Sequence, residues 1–230
     1  AMRICKAGGG KVVFDIDYRP NLWGLAGHDA GFERYVKSDA VSSRLKTVLP
    51  DCDLIVGTEE EVLIASGEDN LLAALRTIRS LSAGTIVLKR GAKGCIVYDG
   101  PVPDNLEDGI VGDGFAIEVY NVLGAGDAFM SGFLRGWLRG ETLETTCAYA
   151  NACGAFAVSR QLCAPEIPTW PELQASSCQR RLRVSLAAPR CSQTAVPWRC
   201  RAGTTARTAA AYPSQAPSAR KRTSPSFLPF

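Results

Sequence analysis

The turn Gly124-Ala125-Gly126-Asp127 places two glycines and a carboxylate at the mouth of a stretch in which Phe129, Phe133 and Trp137 recur every four residues, the pattern of an amphipathic helix. Backbone N–H groups at a helix start lack partners and carry the positive end of the dipole, so they favour phosphate oxygens, and glycines let a ligand approach closely. An Asp in that turn stands where a hydroxyl could lose its proton. The same residues also suit an ordinary strand-to-helix turn with a capping Asp.

Three further clusters could do chemistry. Asp15-Ile16-Asp17-Tyr18-Arg19-Pro20 carries two carboxylates, which accept hydroxyl donors, and a guanidinium whose planar fork matches a carboxylate or phosphate. An ion pair between Asp17 and Arg19 within the loop is the plainer reading. Lys89-Arg90-Gly91-Ala92-Lys93-Gly94 combines three cations with two glycines, which suits a triphosphate or a simple hairpin. Thr58-Glu59-Glu60-Glu61 reads as an acidic helix start, where negative charge complements the dipole.

The elements that must hold these groups follow from periodicity. Lys11 to Asp17, Asp53 to Gly57 and Thr85 to Lys89 read as buried strands, and Phe32 to Val48 and Leu71 to Leu81 as helices. This β-α-β-α-β order predicts an α/β domain with a parallel sheet covered by helices. Gly94 to Gly100 and Phe115 to Tyr120 are expected as strands at one edge, joined by a loop over Pro101 to Gly114. Two helices, around Phe129 to Trp137 and Cys147 to Val158, close the domain. In such sheets ligands bind beyond the carboxyl ends of the strands, where each cluster lies.

Asn121-Val122-Leu123-Gly124-Ala125-Gly126-Asp127, continued by Ser131-Gly132-Phe133-Leu134, resembles the second signature of the PfkB/ribokinase family of carbohydrate kinases. The resemblance covers Gly10 to Gln174. It implies a ribokinase-like fold, of which this is the C-terminal portion without its lid, and ATP-dependent phosphorylation with Mg²⁺. Asp127 would be the general base, and the amides of Gly124, Ala125 and Gly126 the anion hole. The loop at Lys89 to Gly94 is similar to the family's nucleotide loop, with Lys89 at a position usually held by Thr. That implies ATP contacts at Lys89, Gly91 and Gly94, and Asn151 matches a helix that lines the adenine pocket. By itself Asn151 reads as a helix residue bonded to its neighbours. Glu61 matches a carboxylate that influences Mg²⁺ and phosphate, with Thr58 replacing the usual Asn. Asp15, Asp17, Arg19 and the following Leu22-Trp23 resemble the substrate stretch of sugar-acid kinases, in particular those of myo-inositol breakdown. The resemblance also implies preceding residues with further sugar contacts and allows a homo-oligomer of the full-length protein.

Composition bounds the alternatives. From Ala175 to Phe230 there are ten Lys/Arg and no Asp or Glu, against 16 Lys/Arg and 23 Asp/Glu before, so an acidic portion precedes a basic tail. The tail, rich in Ala, Ser, Pro, Arg and Thr, lacks apolar periodicity and is expected to be disordered or a product of a shifted reading frame. Only Arg220-Lys221-Arg222 clusters in it, so no nucleic-acid partner is expected. Nine cysteines form no C-x-x-C pair and read as reduced thiols of a cytoplasmic protein. His28 is the sole histidine, which excludes a His-rich metal site. No apolar run is long enough to span a membrane, so no membrane partner is expected. A dinucleotide-dependent oxidoreductase would need G-x-G-x-x-G directly after the first strand, whereas Gly8-Gly9-Gly10 precedes it.

Overall fold

A computed structural model describes residues 1–25, 35–160 and 167–179 of the chain. Three parallel strands form one side of a five-stranded sheet of order β1-β2-β3-β4-β5: β1 (Val13–Asp15), β2 (Leu54–Thr58) and β3 (Thr85–Lys89). The sheet is mixed, because β4 (Gly94–Tyr98) returns antiparallel to β3, and β5 (Ile110–Asp113) antiparallel to β4.

Alternation along the strands divides the core into two layers. Ile55, Ile86, Leu88, Ile96 and Tyr98 face α2 (Asp39–Lys46), α3 (Glu59–Ser66) and α4 (Leu71–Leu81), meeting Val41, Leu45, Val62, Leu75 and Ile78. Leu54, Val56, Val87, Cys95 and Val97 face the other way, onto Phe129, Met130 and Phe133 of α5 (Ala125–Leu138) and Cys147 and Ala150 of α6 (Leu143–Val158). Strands covered on both faces read as unbroken apolar runs, as β2 and β3 do. Each such buried side chain contributes about 1.5–3 kcal/mol.

Several expectations are corrected. The second edge strand is Ile110–Asp113, inside the stretch expected to be loop, and 115–120 is irregular. Glycines at 109, 112 and 114 disguise a strand that β4 pairs over four residues. Phe115 to Tyr120 has alternating composition but is not a strand; Tyr120 donates its N–H to the Val158 carbonyl. The helix expected from Phe32 begins only at Asp39, with 35–38 irregular, and its first three expected residues lie outside the described ones. Two helices had no sequence expectation: α1 (Met2–Ala7), which buries no side chain, and α7 (Trp170–Gln179). His28 and the tail from residue 180 lie outside the described residues.

Candidate active site

Strand register brings the clusters together. Asp15 ends β1, and Thr58 at the end of β2 pairs with Lys89 at the end of β3. Three residues beyond β1, Tyr18 donates its N–H to Glu61 Oε1 at 3.3 Å. Gly57 permits this approach: a Cβ there would lie 2.7 Å from Ile16 Cδ1 and 3.3 Å from Glu61 Cβ.

Glu61 is buried and forms a capping box with Thr58. Its Oε2 accepts the Thr58 N–H at 2.7 Å, and Thr58 Oγ1 accepts the Glu61 N–H at 3.2 Å. Thr-x-x-Glu before an apolar run is a readable capping signature, and it identifies what Thr58 does in place of the family's Asn. With both oxygens accepting backbone donors, Glu61 is poorly placed as a direct metal ligand. Among the described residues no group of three or more His, Cys, Asp or Glu could hold a metal ion. The described residues therefore do not cage Mg²⁺.

Lys89 lies between the carboxylates. Its Nζ donates to Asp15 Oδ1 at 2.9 Å and stands 3.7 Å from Glu61 Oε2, with the side chain 13% exposed. Burial raises the Asp15 pKa above its ordinary 3.8, Lys89 opposes this, and the charges of Glu61 and Asp17 add to it. On the far side, a Cβ at Gly126 would lie 3.8 Å from Lys89 Nζ. The ammonium thus faces the start of α5.

That start has Gly124 as N-cap, at φ 79°, with no side-chain cap. The turn before it is held by Asn121 Oδ1, which accepts the Leu123 N–H at 3.0 Å. Ala125 N–H bonds to the Val122 carbonyl at 3.3 Å, so the anion hole expected from Gly124, Ala125 and Gly126 is altered. The N–H groups of Gly124, Gly126 and Asp127 find no acceptor among the described residues. Asp127 is exposed in the first helical turn and does not cap the helix with its side chain. Donors without acceptors beside a buried ammonium fit phosphate oxygens.

The remaining candidates are placed differently. Arg19 Nη2 meets Asp17 Oδ1 at 2.7 Å, both well exposed, which is the plain loop ion pair. Asp17 has φ 32°. Gly91 and Gly94 belong to the β3–β4 hairpin, with φ 57° and 88°, and a Cβ at Gly94 would lie 2.0 Å from the Gly112 oxygen. The hairpin geometry alone therefore demands Gly94. Arg90 clamps this hairpin between Glu59 at 3.2 Å and Glu107 at 2.8 Å, a brace that sequence reading missed. Asn151 is buried, and its amide NH₂ donates to the carbonyls of Gly112 at 2.9 Å and Asp113 at 3.2 Å. It fastens α6 to β5 rather than bonding within its own helix.

The description of pfkB family carbohydrate kinases matches residues 25–170, more than half of the chain. The chain belongs to the pfkB carbohydrate kinase family. Among curated pfkB relatives, a 5-dehydro-2-deoxygluconokinase from Halalkalibacterium halodurans is 28% identical over 178 residues, covering 76% of this chain and 49% of that protein. The chain spans about half the length of the curated relatives it matches. Among solved structures, an E. coli putative ribokinase II in its apo form has a TM-score of 0.63 at 23% identity, over 78% of this chain and 52% of that one. The structure of a putative ribokinase II from E. coli in complex with ATP and Mg²⁺ has a TM-score of 0.60 at 24% identity, over 77% and 52%. At these identities the solved structures establish the ribokinase-like fold of this pfkB chain.

Proposed function

We propose that this chain carries the phosphoryl-transfer side of an ATP-dependent sugar-acid kinase, acting in the cytoplasm on 5-dehydro-2-deoxygluconate in myo-inositol breakdown. The observation that carries the reading is the convergence of the Lys89 ammonium with the acceptor-free amides of Gly126 and Asp127 at the carboxyl end of the parallel strands. Asp127 takes the proton of the acceptor hydroxyl as that oxygen bonds to the γ-phosphorus. The bond from this phosphorus to the bridging oxygen breaks, and ADP leaves. The amides of Gly124, Gly126 and Asp127 and the α5 dipole stabilise the charge on the moving group. Ala125, bonded to Val122, shapes the turn. Lys89 serves the nucleotide phosphates, Gly91 and Gly94 keep the hairpin low, and Asn151 holds the β5 backbone against which the nucleotide lies. Bound with the nucleotide, Mg²⁺ would neutralise its phosphates, keeping much of its hydration, while Glu61 acts by ordering Thr58 and Lys89.

Arg19 supplies the preference for an acid. Its pair with Asp17 is exposed and therefore weak, so a substrate carboxylate can take its place on the guanidinium. The test is ADP release with 5-dehydro-2-deoxygluconate, ribose and fructose as acceptors. The sugar acid should be preferred, and Arg19→Ala should raise its KM about 10- to 100-fold through loss of a charged hydrogen bond. Preference for a neutral sugar, or an unchanged KM in Arg19→Ala, refutes the substrate assignment.

One observation favours a second reading, nucleotide binding without turnover. Asp127 is itself exposed, and the turn before it leaves Val122 66% and Leu123 68% exposed, so water reaches the carboxylate. Binding of ATP with no ADP release on any acceptor selects this reading.

A further inference from the structure

The notion that Asp15 is a sugar contact sits uneasily with its hydrogen bond. Asp15 Oδ1 is engaged by Lys89 Nζ at 2.9 Å, across 74 residues of sequence, and its side chain is only 26% exposed, whereas Asp17 two residues on is 60% exposed. An ammonium has three donors. Asp15 takes one, and Glu61 at 3.7 Å contributes charge without a hydrogen bond. Donors therefore remain on Lys89 for a third group, and the open direction is toward Gly126, whose Cβ position lies 3.8 Å away. One cation between two carboxylates is also held fast: the pair of acids fixes where the ammonium points.

We propose that Lys89 is the side chain that grips the phosphate being transferred, and that Asp15 is a positioning residue acting through Lys89 rather than a contact to the sugar acid. The proposal rests on the kinase reading above and moves Asp15 from the acceptor end of the site to the phosphoryl end. Lys89 in turn supplies, from a strand end, a charge that a Thr at this position could not. Glu61 completes the device from the α3 cap, which is why a buried carboxylate and a helix start sit against a strand-end lysine.

Calorimetric titration of the full chain with inorganic tripolyphosphate, and separately with adenosine, tests this. Lys89→Met should weaken tripolyphosphate about 10- to 100-fold, the loss of a charged hydrogen bond, and leave adenosine unchanged. Lys89→Arg should recover part of that affinity. Asp15→Asn should weaken tripolyphosphate about three- to tenfold while leaving the KM for the sugar acid unmoved. Lys89→Met and Asp15→Asn each leave a largely buried charge without its partner, so thermal midpoints are measured alongside. The double variant Asp15→Asn/Lys89→Met removes both charges and should regain stability without regaining tripolyphosphate affinity, which separates the phosphate role from a merely structural one. Tripolyphosphate affinity within threefold of the parent in Lys89→Met overturns the proposal. So does a raised sugar-acid KM with unchanged tripolyphosphate affinity in Asp15→Asn. A parent chain that binds neither ATP nor tripolyphosphate overturns the kinase reading and this inference with it; a parent that binds both while Lys89→Met binds equally well overturns this inference alone.

Discussion

Replacing Glu61 by Gln tests how the site is assembled. The carboxylate accepts two backbone donors, Thr58 N–H at 2.7 Å and Tyr18 N–H at 3.3 Å, and neighbours the Lys89 ammonium. An amide has one acceptor oxygen, so only one of those donors can be satisfied, and its NH₂ must face the other. The shorter Thr58 bond is retained but falls from charged to neutral, a loss of about 1 kcal/mol, and the buried Tyr18 N–H is left unpaired at about 1–3 kcal/mol. The attraction to Lys89 also disappears, though Lys89 keeps Asp15. Together these give about 2–4 kcal/mol. Urea unfolding followed by far-ultraviolet circular dichroism measures it. With a slope near ~2 kcal/mol/M the midpoint should fall by about 1–2 M without change of slope. Thr58→Ala, which removes only the reciprocal cap, should cost about 1 kcal/mol and so fall between Glu61→Gln and the parent. A midpoint shift below about 0.3 M for Glu61→Gln, or a larger loss in Thr58→Ala, refutes the view that this carboxylate joins the β1 loop to α3.

Two further outcomes are expected. Asp53 accepts the Val12 N–H at 2.8 Å, and this bond holds its carboxyl below the ordinary 3.8. A carboxyl lowered in the folded state stabilises above its unfolded value and loses that contribution as pH falls through the folded value. Acid unfolding midpoints should therefore show Asp53→Asn less stable than the parent above pH 4, with the difference shrinking below it; a constant difference down to the lowest pH contradicts this. Gly94→Ala forces a side chain into φ 88° and against the Gly112 oxygen, so it should cost more than about 2 kcal/mol by urea unfolding, and an unchanged midpoint removes the hairpin argument.

The parts of the fold legible in the sequence are those whose signal is local. Thr85 to Lys89 and Leu71 to Leu81 begin and end as strand and helix where their periodicity does. The helix after Gly124 runs from Ala125 because the glycine turn and the four-residue spacing of Phe129, Phe133 and Trp137 both act over one or two turns. Ile110–Asp113 was illegible because its pairing is supplied by β4 and its own residues include glycine and aspartate, which ordinarily mark loops. The same division runs through the site. The turn at Asp127 and the Thr58 to Glu61 cap are local patterns, although the cap was read only as acidic charge. The bond from Lys89 to Asp15 and that from Asn151 to Gly112 join residues 74 and 39 positions apart, and nothing in either stretch announces its partner. α7 continues to Gln179, past the last acidic residue, since helix propagation does not depend on net charge.

The central claim is that Asp127 is the proton acceptor of a phosphoryl transfer whose nucleotide is held by other groups. Single-turnover transfer of the γ-phosphate from ATP to 5-dehydro-2-deoxygluconate, compared between the parent chain and Asp127→Asn with ATP affinity measured on both, tests it most directly. Transfer should fall about 10²- to 10⁴-fold with ATP affinity within a few-fold of the parent. Transfer by Asp127→Asn at the parent rate would contradict the account.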